Sequence, residues 1–258
     1  MSYQKYWSLS KLPFGRPETA DEFFAGRPQR EALARIDYLI RSGHNHGLVI
    51  SPPAVGRTCL MSRVAQSAGF GDCAVDMVYT GAQDRSCDQL LRQLAIKLGS
   101  QRLISDGYRQ VLERVTAAGR SRIRTVWLID DCTPAAASVA GSLSAECPWF
   151  TALLGCAPEQ AMRLSAAVGG CSLRIDLDPF DLSDTVAFIR HQLTAVGGSA
   201  AIFTDAAIVR LHELAQGHIA AVARLAELCL PIGAAQNATH IHVDVVEAVQ
   251  HEIVYAAA

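Results

Sequence analysis

Five short apolar runs, spaced by stretches of helical periodicity, constrain the fold of this chain more than any other feature. They are HGLVI at 46–50, CAVDMVYT at 73–80, RTVWLID at 124–130, FTALLG at 150–155 and SLRIDL at 172–177. Between and before them lie 27–43, 57–68, 86–99 and 105–118, which repeat their apolar residues at helical spacing. In 27–43, Ala32, Ile36, Leu39 and Ile40 share one face, and Gly43 ends the run. In 86–99, Ser86 is the expected N-cap and Gly99 the stop. Apolar strands joined by helices predict an α/β fold, a parallel sheet with helices on both faces. After Pro179 the pattern changes. Residues 183–195, 205–215, 218–230 and 243–254 are all helical in period, with Ser183 and either Thr204 or Asp205 as expected caps. The reading is a core domain over 1–180 and a small all-helical domain over 181–258.

Composition narrows the function classes. Half of the 258 residues are apolar and 19% are charged, which fits a packed globular chain and excludes a disordered one. A net charge of −2 gives no global sign of a nucleic-acid or anionic-membrane binder. The cysteines stand at 59, 73, 87, 132, 147, 156, 171 and 229, with no CxxC pair, and read as scattered core thiols of a reducing compartment. His240 and His242 alternate with Ile241 and Val243, a spacing that would put both on one strand face, but no third metal ligand accompanies them. No run of 18 apolar residues exists, so no membrane span is expected. The N-terminal segment lacks the apolar core of a signal peptide, and the expected address is the cytoplasm.

The chemistry concentrates at GLVISPPAVGRT, residues 47–58, where a strand runs through a Pro/Gly loop into a helix. A phosphate-binding loop has the form GxxxxGK[ST] in that setting. Its backbone N–H groups wrap phosphate, its Lys reaches the terminal phosphates, and its hydroxyl serves Mg²⁺. Here Gly56 and Thr58 are in register, Ser51 replaces the first Gly, and Arg57 replaces the Lys. A strand–turn–helix junction with two prolines is also a common structural unit, so the loop does not decide alone. The second element is VWLIDDC at 126–132, an apolar strand ending in Asp130 and Asp131. Such a site needs one acid to hold the Mg²⁺ shell and one carboxylate to orient water. Asp130 fits the first role and Asp131 the second. The plainer alternative is two acids that open a solvated loop.

With these segments in view, the chain resembles the AAA+ ATPases of the general secretion pathway protein A type, relatives of the transposition ATPases that include TniB. The resemblance covers nearly the whole length. It rests on KLPFGRP at 11–17, FFAGRPQREALARIDYLI at 23–40, the loop at 51–58, LIDD at 128–131 and LLGCAPE at 153–159. It continues through LRIDLDPFDLSDTVAFIRHQL at 173–193 and FTDAAIVRLHELAQGHIAAVARLAELCL at 203–230. It implies a P-loop NTPase core with a helical lid, and ATP or ADP with Mg²⁺ as ligand. The nucleotide-binding residues would be Ser51, Pro52, Pro53, Ala54, Val55, Gly56, Arg57, Thr58 and Cys59. Thr58 and Asp130 would hold the metal, and Asp131 would orient water. Arg174 would act as a finger toward a neighbouring molecule.

The departures from the family pattern are as informative as the matches. Ser51 and Ala54 stand at usual Gly positions, and a Cβ there is expected to require negative φ. Arg57 keeps the charge of the Lys but not its compact geometry. Asp131 is a methylene shorter than the usual Glu. Cys156 stands at a polar sensor position, and Ile219-Ala220 at the Pro-Arg of a second sensor, with Arg224 a turn beyond. Together these changes predict a nucleotide-binding switch with weakened or lost hydrolysis. One alternative is a catalytically dead scaffold subunit that assembles with itself or with an intact relative. Another is an accessory protein of DNA transactions. For the latter, the local support is Arg120, Arg122 and Arg124, which otherwise read as a solvated loop.

Overall fold

The computed structural model describes residues 2–67, 70–81, 86–100, 106–170 and 173–256, with the side chains of Ala20 and 252–256 not described. Positions 68, 105 and 172, at the edges of the expected elements, and Cys171 lie outside the described residues. In chain order the elements are helix α1 (Tyr3–Tyr6), α2 (Arg27–Arg41), strand β1 (His46–Ile50), α3 (Arg57–Ala65), β2 (Val75–Gly81), α4 (Cys87–Lys97) and α5 (Gly107–Arg120). There follow β3 (Arg124–Asp130), α6 (Pro134–Glu146), β4 (Phe150–Cys156), α7 (Ala161–Ala167) and β5 (Leu173–Asp176). The remainder is helical: α8 (Leu182–Ala195), α9 (Asp205–Ala215), α10 (Ile219–Ala235) and α11 (Val243–Ala256).

By internal contact the chain divides into two units, one of Gln29–Pro52 with Arg57–Leu177, the other of Met1–Pro28, Pro53–Gly56 and Asp178–Ala258. The first is the sheet unit. Its five strands lie in the order β2-β3-β4-β1-β5, every neighbouring pair parallel. All residues of β3 and β4 are buried, as expected of strands covered on both faces. Alternation assigns the two layers. Leu48, Ile50, Trp127, Ile129 and Leu154 pack with Leu94 of α4, Val115 of α5, Leu143 of α6 and Leu164 of α7. On the other face, Leu39 of α2 lies against Gly47 and Met61 of α3 against Gly155. Trp127 is fully buried because its indole Nε1 finds Thr80 Oγ1 at 2.9 Å.

Local chemistry sets the helix starts. Ser86 and Gln89 form a reciprocal capping box on α4, and Asp106 caps α5. Thr133 caps α6, with Pro134 in the first turn. The stretch 133–149, bland in sequence, thus contains a helix of 13 residues.

The helical unit has its own core, built from Phe188, Ile189, Ile208, Leu211, Val222, Leu230 and Val246, together with Trp7, Leu9 and Phe14 from the N-terminal segment. Thr204 caps α9 as expected. Asp181, not Ser183, caps α8: its carboxylate accepts from the Asp184 amide, so the helix starts at Leu182. Helix α10 continues through Pro231 to Ala235, beyond the expected end at 230. The HIHV stretch is not a strand. Only Ile241 makes a bridge, to Phe203, and Val243 already opens α11. Among the described residues, no helix is long and apolar enough to cross a membrane.

Candidate functional site

The carboxyl rim of a parallel sheet is where such folds place their ligands, because the strands end there and the following helices begin. In the sheet unit, β1 ends at Ile50 and α3 begins at Arg57, so the first turn of α3 stands near the end of β3. Thr58 Oγ1 donates to Asp130 Oδ2 at 2.5 Å. Arg57 Nε donates to Asp130 Oδ1 at 2.8 Å, and its guanidinium also grips Asp131 Oδ1. Arg57 and Asp130 are nearly withdrawn from water, at 12% and 5% side-chain exposure, whereas Asp131 is 48% exposed. Thr58, Arg57, Asp130 and Asp131 therefore form one cluster.

Two residues that sequence reasoning missed complete it. Gly155 of β4 underlies the pair: a Cβ there would lie 3.0 Å from Asp130 Oδ1, 3.1 Å from Arg57 Cδ and 2.8 Å from Met61 Sδ. The lone glycine inside an apolar strand was the available signal, since glycine in a strand marks close approach of another group. Tyr79 of β2 places its hydroxyl 3.4 Å from Asp130 Oδ2. Nothing in the spacing of 73–80 announced it.

Backbone conformation at the rim is special. Asp131 sits in the left-handed region at φ 50°, with its amide donating to Asp130 Oδ1 at 3.1 Å. Ala54 also has positive φ, 66°, contrary to the negative φ expected for a residue with a Cβ. The turn is kept, and the alanine carries a strain of about 1–2 kcal/mol that glycine would not. Ser51 is absent from the positive-φ residues, in keeping with its Cβ.

The loop's residues divide between the units. In the sheet unit, Ser51 is 1% exposed and its amide donates to Cys156 O at 3.1 Å, but its hydroxyl has no hydrogen-bond partner among the described residues. Pro52 is half-buried, and Cys59 is a half-buried cysteine on α3. Among the described residues, the Arg57 and Thr58 amides, in the first turn of α3, donate to no protein acceptor, as helix starts generally do not. In the helical unit, Pro53 and Ala54 are exposed, Val55 is buried, and Gly56 has φ 93°. There the Ala220 amide, at the start of α10, donates to Ala54 O at 2.9 Å. Ala220 thus meets this loop through its backbone, while Arg224 is exposed.

Other expected site residues lie elsewhere. Arg174 of β5 pairs with Asp176 at 2.8 Å and is 60% exposed. Cys156, at the end of β4, is buried, and burial pushes its thiol up to about 11, against the opposing pull of Arg57 and Arg174. It is therefore a neutral thiol at physiological pH. The basic cluster at 120–124 is broken up: Arg124 is buried, donates to Pro148 O and Thr151 Oγ1, and lies 5.5 Å over the Trp149 ring. It is part of the core, not of a solvated loop.

The resemblance implies a magnesium ion at this donor set. A hard cation needs oxygen lone pairs left open to it. Thr58 gives its hydroxyl hydrogen to Asp130 and keeps its oxygen lone pairs, so the fit is decided at the carboxylate. Asp130 Oδ1 accepts from Arg57 and the Asp131 amide, and Oδ2 from Thr58 and Tyr79. Arg57 already supplies the positive charge. In this arrangement the residues do not fit the ion. For the phosphates of a nucleotide, the buried orphan hydroxyl of Ser51 and the idle amides of Arg57 and Thr58 are a fit.

No protein-family model matches the chain, and no curated protein matches it in sequence. Solved structures do. The ORC2 protein of Aeropyrum pernix, in a structure of ADPNP–ADP complexes, is similar with a TM-score of 0.70 at 14% identity, over 94% of this chain and 71% of that one. Drosophila ORC bound to DNA gives 0.66 at 14% identity, over 98% of this chain and 65% of that one. The Thermotoga maritima RuvB Holliday junction branch migration motor gives 0.54 at 17%, over 92% and 72%. With its five parallel strands, its helices on both sheet faces and these likenesses of architecture, the chain has the α/β P-loop NTPase fold of the AAA+ type, with a C-terminal helical portion.

Proposed function

We propose that this chain is a nucleotide-binding switch of the AAA+ type that holds ATP or ADP without turning ATP over at a useful rate. The observation that carries it is the engagement of Arg57 with both Asp130 and Asp131. Hydrolysis needs a cation on the terminal phosphate and a carboxylate directed at water. Here the loop's cation and the water-directing Asp131 neutralise each other. The phosphate-holding side is kept in Ser51 and the first turn of α3, which includes Cys59.

The subtype that fits the sequence best is the secretion pathway protein A and TniB type. The chain would act by partnering, either with itself or with an intact relative, and Arg174 on the exposed β5 would reach that partner. A cytoplasmic address suits cysteines that form no disulfide among the described residues. Direct DNA contact is the weaker reading. Two of the similar structures are named for DNA-bound or DNA-moving proteins, but burial of Arg124 removes a third of the only basic cluster the sequence offered.

A thermal-shift titration with ATP and ADP tests the binding. A ligand at 100 times its Kd adds about 2.7 kcal/mol to native stability, a shift of several degrees. No shift at millimolar nucleotide overturns the proposal and leaves the inert scaffold. In the same samples phosphate release stays at background. The double change Arg57→Lys with Asp131→Glu is expected to raise it, and steady turnover by the unaltered chain would refute the switch.

A further inference from the structure

We propose that the Arg57 guanidinium is the resident cation of this site, so that nucleotide is bound without a divalent metal and metal is kept from Asp130 by the arginine. The argument starts from charge. Two carboxylates and a threonine hydroxyl converge on one point at the end of β3, which is the donor set a hard cation takes. That point is filled from within. Arg57 leaves the first turn of α3, lies over Gly155, and presents one N–H to Asp130 and another to Asp131. Only a strand residue without a side chain lets the guanidinium lie so low. The planar fork is what makes the double contact, since a lysine ammonium offers a compact point charge and no paired N–H edge. Thr58 donates its hydroxyl hydrogen to Asp130 and so fills one more of that carboxylate's acceptor sites. The arginine is nearly buried, so water does not screen the pair, and a metal ion would have to displace a bonded guanidinium to enter.

The consequence is an inversion of the usual metal dependence. Adding Mg²⁺ neither tightens nucleotide binding nor stabilises the protein, and removing Arg57 creates a metal site. This extends the binding proposal above, but one arm of its test uses no nucleotide.

In that arm, Mn²⁺ is titrated into the unaltered full chain, Arg57→Ala, and Arg57→Ala with Asp130→Asn, and free Mn²⁺ is followed by its electron paramagnetic resonance signal. Arg57→Ala is expected to take up roughly one Mn²⁺ per chain, at least about tenfold more tightly than the unaltered chain, and the double variant to lose it. Uptake by the unaltered chain that Asp130→Asn abolishes overturns the proposal by itself. So does a folded Arg57→Ala that takes up none. Circular dichroism reports folding, and Arg57→Met, which keeps the aliphatic stem, replaces an unfolded Arg57→Ala.

In the second arm, a fluorescent ADP analogue is titrated with EDTA and with Mg²⁺. The unaltered chain should bind equally within about threefold. Tightening by about tenfold or more with Mg²⁺ overturns the proposal. No binding under either condition sinks the nucleotide reading instead, and the Mn²⁺ arm then decides this one.

Discussion

Strands β1 and β3 end on the same rim of the sheet, and the polar groups that follow them are treated in opposite ways. Beyond β1, Ser51 is buried with a hydroxyl that finds no partner among the described residues. At the end of β3, Asp130 is buried with both oxygens taken, by Arg57, Thr58, Tyr79 and the next amide. A buried polar atom without a partner is unstable enough that native proteins rarely keep one without reason, and a satisfied network resists intrusion. The contrast teaches that one strand end of this rim keeps an unanswered polar group, while the other is satisfied entirely from within.

The strongest way to break that contrast is Arg57→Ala. It leaves Asp130 buried without its cation, and should lower unfolding stability by about 3–5 kcal/mol, almost all through the Asp130 contact, because the Asp131 arm is half in water. A midpoint in denaturant unchanged from the parent would mean that the β3 end is not held by this pair. Gly155→Ala tests the same closure from below. The added methyl meets Asp130, Arg57 and Met61, and should cost about 1–3 kcal/mol, with partial restoration when Met61 is also made smaller. Ser51→Ala probes the other strand end. Removing the orphan hydroxyl should leave the free protein as stable or more stable by about 1 kcal/mol while weakening nucleotide binding, as a melt with and without ADP would show. A clear loss of stability would reveal a partner for that hydroxyl. The smallest effect is expected from Ala54→Gly. Relief of the left-handed φ, less the greater freedom of glycine when unfolded, should add about 0.5–1 kcal/mol.

Much of the architecture was readable because it is written locally. The strands HGLVI and RTVWLID carry unbroken apolar centres since both their faces are covered, and Ser86 marks the start of α4. The convergence of Thr58 and Asp130 on one point was also within reach, because a strand–loop–helix unit and a strand ending in acid have a fixed relation in a parallel sheet. What escaped is what depends on three dimensions. The direction of the Arg57 side chain is set by the gap above Gly155, on another strand. Ala54 takes a backbone conformation that its own side chain disfavours. Asp181 rather than Ser183 caps α8 because its carboxylate reaches the Asp184 amide, and either residue would serve by type. Arg124 looked like surface charge and is core, held by Thr151, the Pro148 carbonyl and the Trp149 face.

The packing of Trp7 against a helix far along the chain has a consequence for how the protein is made. Trp7 inserts into the helical unit and donates its indole hydrogen to the carbonyl of Leu230, 223 positions later, at 2.9 Å. A ribosome adding ~5–20 residues per second emits that tryptophan some 10–45 s, roughly, before its acceptor exists. The sheet unit, whose chain runs from Gln29 to Leu177 with only the Pro53–Gly56 turn lent elsewhere, is complete well within that interval. The segment around Trp7 therefore stays an exposed aromatic thread, a natural target for chaperones, until α10 emerges and the helical unit can close around it.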